Sequence, residues 1–154
     1  MIAVLQRVRS ASVTADGEFS GSIENGLLIL LGVATGDTKE DARLLAEKIV
    51  KCRIFSDENG KMNLSLLDIC GGALIVSNFT LNANYAHGNR PDYFGSAAPS
   101  EAIPLYEHFI SLAQEKVASV ATGVFGADMK IDMCSDGPVT IVMDSQVLKK
   151  GKKQ

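Results

Sequence analysis

The sequence contains no tryptophan, so no ligand platform built on an indole ring is open to it. Its three cysteines, Cys52, Cys70 and Cys134, have neither the spacing of a CxxC redox pair nor that of a zinc site. They are expected as small, buried or half-buried thiols in a reducing compartment. Two histidines far apart, His87 and His108, add no metal-ligand set, and neither a metal nor a cofactor is expected. The longest apolar run, Leu27–Val33, is too short to span a bilayer. The opening MIAVLQRVRS lacks the charged-then-apolar build of a signal peptide. The expectation is a cytoplasmic protein with no membrane partner. The common catalytic signatures are also missing: no GxSxG elbow, Walker A loop, HExxH or GxGxxG occurs. The two glycines of Gly32-Val33-Ala34-Thr35-Gly36 come without a P-loop lysine and read as a turn.

What is present is the balance of an ordinary globular chain. Of 154 residues, 46% are apolar and 21% charged, enough for one domain with a single core and no staples. The net charge of −3 comes from 15 Lys+Arg against 18 Asp+Glu. This argues against a protein that coats nucleic acid by positive charge, though not against local contact with an RNA end. The one basic cluster is the C-terminal Leu148-Lys149-Lys150-Gly151-Lys152-Lys153-Gln154. We divide the chain into a domain over residues 1–145 and a basic tail over 146–154, read as solvated and frayed, with RNA steering as the alternative.

Periodicity predicts strands at Ile2–Val8 and Ala11–Ala15 with a kink between them. A further strand near Glu18–Ile23 follows the Asp16-Gly17 hairpin signal, and a central strand at Leu27–Val33 follows Asn25-Gly26. Thr38 with Asp41 opens a helix as a capping-box pair, with Ala42, Leu45, Ala46, Ile49 and Val50 on its buried face. Gly71-Gly72 precedes a buried strand at Ala73–Val76, and residues 82–99 read as a long loop of the kind that often carries function. A second helix starts at Ser100 or Pro104 and runs to about Ala118. Strands at Met129–Cys134 and Val139–Asp144 close the chain. The fold class is α+β, with a mixed, mainly antiparallel sheet and two main helices.

Two segments leave these elements in chemically useful ways. Ser77-Asn78-Phe79-Thr80-Leu81 carries hydroxyls and an amide off the end of a rigid strand, a good place to meet a ligand. Taken alone it reads first as a strand turning polar as it surfaces. Ser135-Asp136-Gly137-Pro138-Val139-Thr140 sets Gly-Pro between two strand-like runs, which is unusual because proline cannot donate to a ladder. Taken alone it is a turn.

Together the two segments resemble the signatures of the D-aminoacyl-tRNA deacylase family, Ser-Gln-Phe-Thr-Leu and Asn-X-Gly-Pro-Val-Thr. The likeness extends from Ala3-Val4-Leu5-Gln6-Arg7-Val8 to Asp144-Ser145. It takes in Gly60-Lys61-Met62-Asn63-Leu64-Ser65-Leu66, Gly88-Asn89-Arg90-Pro91 and Thr122-Gly123-Val124-Phe125-Gly126-Ala127. Two positions depart from it: Asn78 stands where the family has Gln, and Ser135 where it has Asn.

The resemblance implies a barrel-like homodimer with sites at the subunit interface and the acceptor end of aminoacyl-tRNA as substrate. It implies a cis Gly137-Pro138 peptide that faces the Ser77–Leu81 segment of the other copy. There its main-chain atoms exclude L side chains by clash and admit D-aminoacyl and glycyl esters. Ser77, Asn78, Val139 and Thr140 are then substrate-binding, Arg7 braces the Gly-Pro loop, and Phe125 is a candidate for stacking on the terminal adenine. Phe79 and Thr80 are the candidate catalytic positions, through backbone N–H groups that stabilise the oxyanion while the ribose 2′-hydroxyl assists water. Thr80 is the one side chain available as a nucleophile, and a positioning role suits it better because no base is in view to activate it. Two rivals remain: a non-catalytic nucleic-acid-binding module, and an esterase with Thr80 as nucleophile on a substrate that is not RNA.

Overall fold

The computed structural model describes residues 1–151; Lys152, Lys153 and Gln154 of the basic tail lie outside the described residues. Eight strands and three α-helices follow in the order β1 (Ile2–Ala15), β2 (Glu18–Ile23), β3 (Gly26–Gly32), α1 (Lys39–Val50), β4 (Phe55–Ser56), β5 (Met62–Leu64), β6 (Gly72–Ser77), α2 (Pro99–Gln114), β7 (Ser119–Thr122), β8 (Met129–Asp144) and α3 (Ser145–Gly151). A single 3₁₀ turn, Phe79–Asn82, sits between β6 and α2.

The main sheet runs β2-β1-β3-β6-β7, with β8 on the other side of β1. β1 pairs antiparallel with β2, β3 and β8, whereas β3/β6 and β6/β7 are parallel. The parallel pairs arise because α1 and α2 serve as the crossovers between them, as parallel neighbours require. Leu27–Leu31 has almost no exposed face because β3 lies between β1 and β6. At their first residues β3 and β6 touch: a Cβ on Gly26 would lie 1.9 Å from the Gly72 carbonyl oxygen, so only glycine fits.

The sheet curls until its outer strands meet, with Ser20 Oγ donating to the Thr122 carbonyl oxygen at 2.9 Å. The result is a nearly closed, barrel-like sheet with two cores. Inside the curl pack Val8, Val13, Ile23, Leu28, Leu74 and Val76. The outer face is covered by α1 and α2, which set Leu45, Ile49, Tyr106 and Phe109 against Leu5, Leu27, Ile29 and Ile75. Each such aliphatic or aromatic side chain contributes about 1.5–3 kcal/mol through burial. No described helix is long and apolar enough to cross a membrane.

Several expectations are revised in detail. The two halves of β1 form one strand, and so do the two halves of β8, whose ladder to β1 is interrupted but not ended. Helix α2 begins at Pro99 and carries Pro104 inside its second turn. Cys70 and Cys134 are exposed, and only Cys52 is half-buried. The tail's first residues form a helix, because Asp41 is completely buried where α3 meets α1. Its carboxylate accepts from Ser145 Oγ at 2.7 Å and lies 2.7 Å from Lys149 Nζ. The same carboxylate accepts from the Thr38 backbone N–H at 2.8 Å, the capping contact read from the sequence.

Candidate functional site

The carboxyl ends of the parallel strands β3, β6 and β7 open on one side of the sheet, the usual position for ligand sites next to parallel strands. A pocket of ≈ 190 Å³ lies there, lined by Leu31 and Val33 at the end of β3, Ser77, Asn78 and Phe79 at the end of β6, and Phe125, Gly126 and Ala127 after β7. Ala97 before α2, Ala102 and Tyr106 of α2 and Met129 of β8 complete it. The structure therefore brings the first motif together with Phe125, two segments separated by more than forty residues of chain.

The motif is held by its own hydrogen bonds. Asn78 N–H extends the β3/β6 ladder by donating to the Leu31 carbonyl at 2.8 Å. Asn78 Oδ1 then caps the 3₁₀ turn, accepting from the Thr80 N–H at 3.2 Å and from the Thr80 hydroxyl. The Phe79 carbonyl accepts from Ser96 Oγ at 2.9 Å, and its ring meets Tyr93 edge-on at 5.1 Å. Thr80 is exposed and Ser77 half-buried. Of the two backbone donors expected at the site, the Thr80 N–H is engaged by Asn78. The Phe79 N–H opens the turn, where no intrahelical acceptor exists for it.

Phe125 lies 5.8 Å from the Tyr106 ring, and the Tyr106 hydroxyl donates to the Ile75 carbonyl at 3.0 Å. Burial pushes the Tyr106 phenol up to about 12, so it stays neutral. Among the described residues it is the only titratable side chain lining the pocket; no carboxylate, histidine or lysine does so. His87 is exposed in the long loop, and His108 lies half-buried on α2.

The second motif sits elsewhere. Gln6 pairs with Thr140 and Val8 with Ser135. Between those pairs β1 has one residue, Arg7, and β8 has four, 136–139. The surplus loops out, with a cis Gly137-Pro138 peptide and Gly137 at φ +124°. Arg7 grips this bulge: Nε donates to the Asp136 carbonyl at 3.1 Å, and Nη1 donates to the buried Ile54 carbonyl at 2.7 Å. Asp136 also stands 3.7 Å from Arg9 Nε, and Thr140 Oγ1 donates to Gln6 Oε1 at 2.7 Å. Gly137 and Pro138 are exposed, whereas Val139 packs against the helix-covered core. Asp136, Gln6 and Tyr106 were not singled out from the sequence. Asp136 and Gln6 had no signal except adjacency to the motifs, and Tyr106 falls in the second predicted helix with nothing to set it apart from the apolar residues around it.

Gly137, Pro138, Thr140 and Arg7 do not line the pocket. From Ser77 the ladder passes through Leu31 and Ala3 to Met143. That is three strand spacings, about 14 Å, and Arg7 lies four residues, about 13 Å, further along β1. Measured along the sheet, the two motifs of one chain are thus roughly 20 Å apart.

The fold and site define an α+β protein with a polar strand-end segment over a pocket that no described carboxylate, histidine or lysine lines. Comparison with known proteins narrows it. The family model described as D-Tyr-tRNA(Tyr) deacylase matches residues 4–144, and the chain belongs to this deacylase family of hydrolases. It is 56% identical to the D-aminoacyl-tRNA deacylase of Chloroflexus aurantiacus over 97% of this chain and 93% of that one. It is 54% identical to that of Thermosipho africanus over 95% and 98%. The solved structure of a c-Myc DNA Unwinding Element Binding Protein superposes with a TM-score of 0.88 at 36% identity, covering 94% of this chain and 98% of that one. A probable eukaryotic D-amino acid tRNA deacylase shares the fold, with a TM-score of 0.79 at 16% identity over 93% and 98%.

Proposed function

We propose that this chain hydrolyses the ester bond of D-aminoacyl-tRNA, releasing free tRNA and the amino acid, and that two copies build each site. The observation that carries the reading is a pocket with hydroxyl, amide and main-chain groups but no side-chain base. An aminoacyl ester is already activated, and its ribose brings a 2′-hydroxyl beside the carbonyl. With the ester over the start of the 3₁₀ turn, that hydroxyl assists water, and the Phe79 N–H receives the negative charge developing on the carbonyl oxygen. A donor in this role is worth about 2.7–4 kcal/mol. Phe125, in the pocket lining, takes the terminal adenine.

The separation of the motifs supports a shared site. Exposed Gly137-Pro138 of one copy completes the pocket of the other, as closed two-fold contacts allow. Main-chain oxygens presented there reject an L side chain by clash while D-aminoacyl and glycyl esters pass. Arg7 braces the bulge, and Val139 anchors it in the core.

A second reading is favoured by the structural relative with 36% identity, whose name refers to DNA binding. Net charge −3 speaks against a binding module. Such a module binds uncharged nucleic acid tightly with a steep salt slope.

The test is deacylation of matched D-, L- and glycyl-tRNA by protein whose mass in solution is measured in parallel. Release from the D and glycyl esters but not the L ester, by a dimer, is expected. A fully active monomer refutes the shared site, and no release from any ester refutes the activity.

A further inference from the structure

The long loop between the 3₁₀ turn and α2 holds the most exposed aromatic side chains outside the pocket. Phe94 is 91% exposed and Tyr85 79%. The loop is not loosely strung. Asn84 and Asp92 exchange two backbone hydrogen bonds, at 2.8 and 2.9 Å, and Asn84 Nδ2 donates to Asp92 Oδ2 at 2.9 Å. Asp92 Oδ1 accepts from the Phe94 N–H at 3.3 Å. The loop's carboxylate is thus tied down by neutral donors. Its arginine, Arg90, is exposed and forms no ion pair among the described residues. The loop is also fastened to the pocket, through Tyr93 against Phe79 and through Ser96 on the Phe79 carbonyl.

Resting on the deacylase reading, we infer that this loop is the landing surface for the single-stranded nucleotides that precede the ester-bearing adenosine. Tyr85 and Phe94 stack on bases, and Arg90 pairs with a backbone phosphate. Stacking on an aromatic ring tolerates any base, because every base has a π-face. It suits an enzyme that must accept many tRNAs and that carries net negative charge. One phosphate contact adds only about 0.7 to the salt slope on a single strand, so affinity here comes mainly from the rings. A second copy of this chain is the other candidate to cover the rings.

The experiment compares two substrates, full-length D-aminoacyl-tRNA and the same amino acid esterified to adenosine alone, on wild type, Tyr85→Ala, Phe94→Ala and Arg90→Gln, with dimer mass measured for each. Each ring variant is expected to raise KM for the tRNA substrate about tenfold, with kcat and the adenosine ester unaffected. Arg90→Gln is expected to flatten the salt dependence of the tRNA reaction. Equal effects on both substrates, no effect on either, or loss of the dimer in the ring variants overturns the inference. Wild type inactive on both substrates fails the deacylase reading itself, and the inference with it; activity on both with unchanged variants fails the inference alone.

Discussion

Arg7 and Asp136 are joined at two points: Arg7 Nε donates to the Asp136 carbonyl at 3.1 Å and stands 3.2 Å from a carboxylate oxygen of the same residue. The other arm of the guanidinium ends on the buried Ile54 carbonyl, so one planar fork fastens the β8 bulge to the chain after α1. A lysine has one point charge and cannot span both. Arg7→Ala leaves the Ile54 carbonyl without this donor and should lower stability by about 2 kcal/mol, read by urea unfolding. If the Gly-Pro bulge is the proposed filter, the ratio of L- to D-aminoacyl-tRNA hydrolysis should rise, because the bulge is no longer held in one place. An unchanged ratio separates Arg7 from selectivity.

Gly137 has a φ of +124°, and a Cβ there would lie 2.9 Å from the Val139 nitrogen and 3.2 Å from Arg7 Nη2. Gly137→Ala should therefore destabilise by about 1–3 kcal/mol and abolish most D-aminoacyl-tRNA hydrolysis. Gly60→Ala is the control. Its φ is +74° with open space around the Cβ, so it carries backbone strain alone, and activity should persist.

The Thr80 hydroxyl donates to Asn78 Oδ1, an acceptor that cannot serve as a base strong enough to activate it. Thr80→Ala should keep measurable deacylation, and D-aminoacyl-tRNA ending in 2′-deoxyadenosine should be hydrolysed far more slowly than the ribose substrate. Thr80→Ala at the uncatalysed rate in an intact dimer, together with equal rates for the two sugars, would establish a threonine nucleophile instead.

Burial of Asp41 by itself raises its pKa. Hydrogen bonds from Lys149, Ser145 and Thr38 outweigh that and hold the carboxyl well below the ordinary carboxylate value of 3.8. A depressed folded-state pKa contributes stability that is fully present above about pH 4 and is lost as pH falls below it. Asp41→Asn should cost about 3–5 kcal/mol at pH 7, with α3 loosened from α1. Stability measured by chemical unfolding should fall less steeply below pH 4 in the variant than in wild type. Parallel curves would remove Asp41 from the acid response.

Much of the fold was legible in the residues themselves. The alternation in Ile2–Val8, the two-faced apolar run at Leu27, the stripe of α1 and its Thr38–Asp41 start are local patterns, and local patterns survive in a one-dimensional reading. The joining of the two halves of β8 did not, because a strand that bulges around Gly-Pro looks like two strands until its partner β1 supplies the register. Helix α3 was likewise missed: its seven residues are too few to show a stripe, and what holds it is a carboxylate more than a hundred residues away.

The candidate site divides in the same way. Ser77–Leu81 and Ser135–Thr140 stood out by residue type, and Phe125 by its context. That Phe125 faces Ser77–Phe79, that Asn78 takes the Thr80 N–H, and that Arg7 is the single β1 residue opposite four of β8 depend on strand order and register. The sequence by itself determined which backbone segments carry glycine, proline and hydroxyl chemistry, because those properties belong to single residues. Only the tertiary structure decided which of them meet, because contacts across a sheet are set by which strands lie side by side. Those pairings are selected by burial of the whole core and by no one residue.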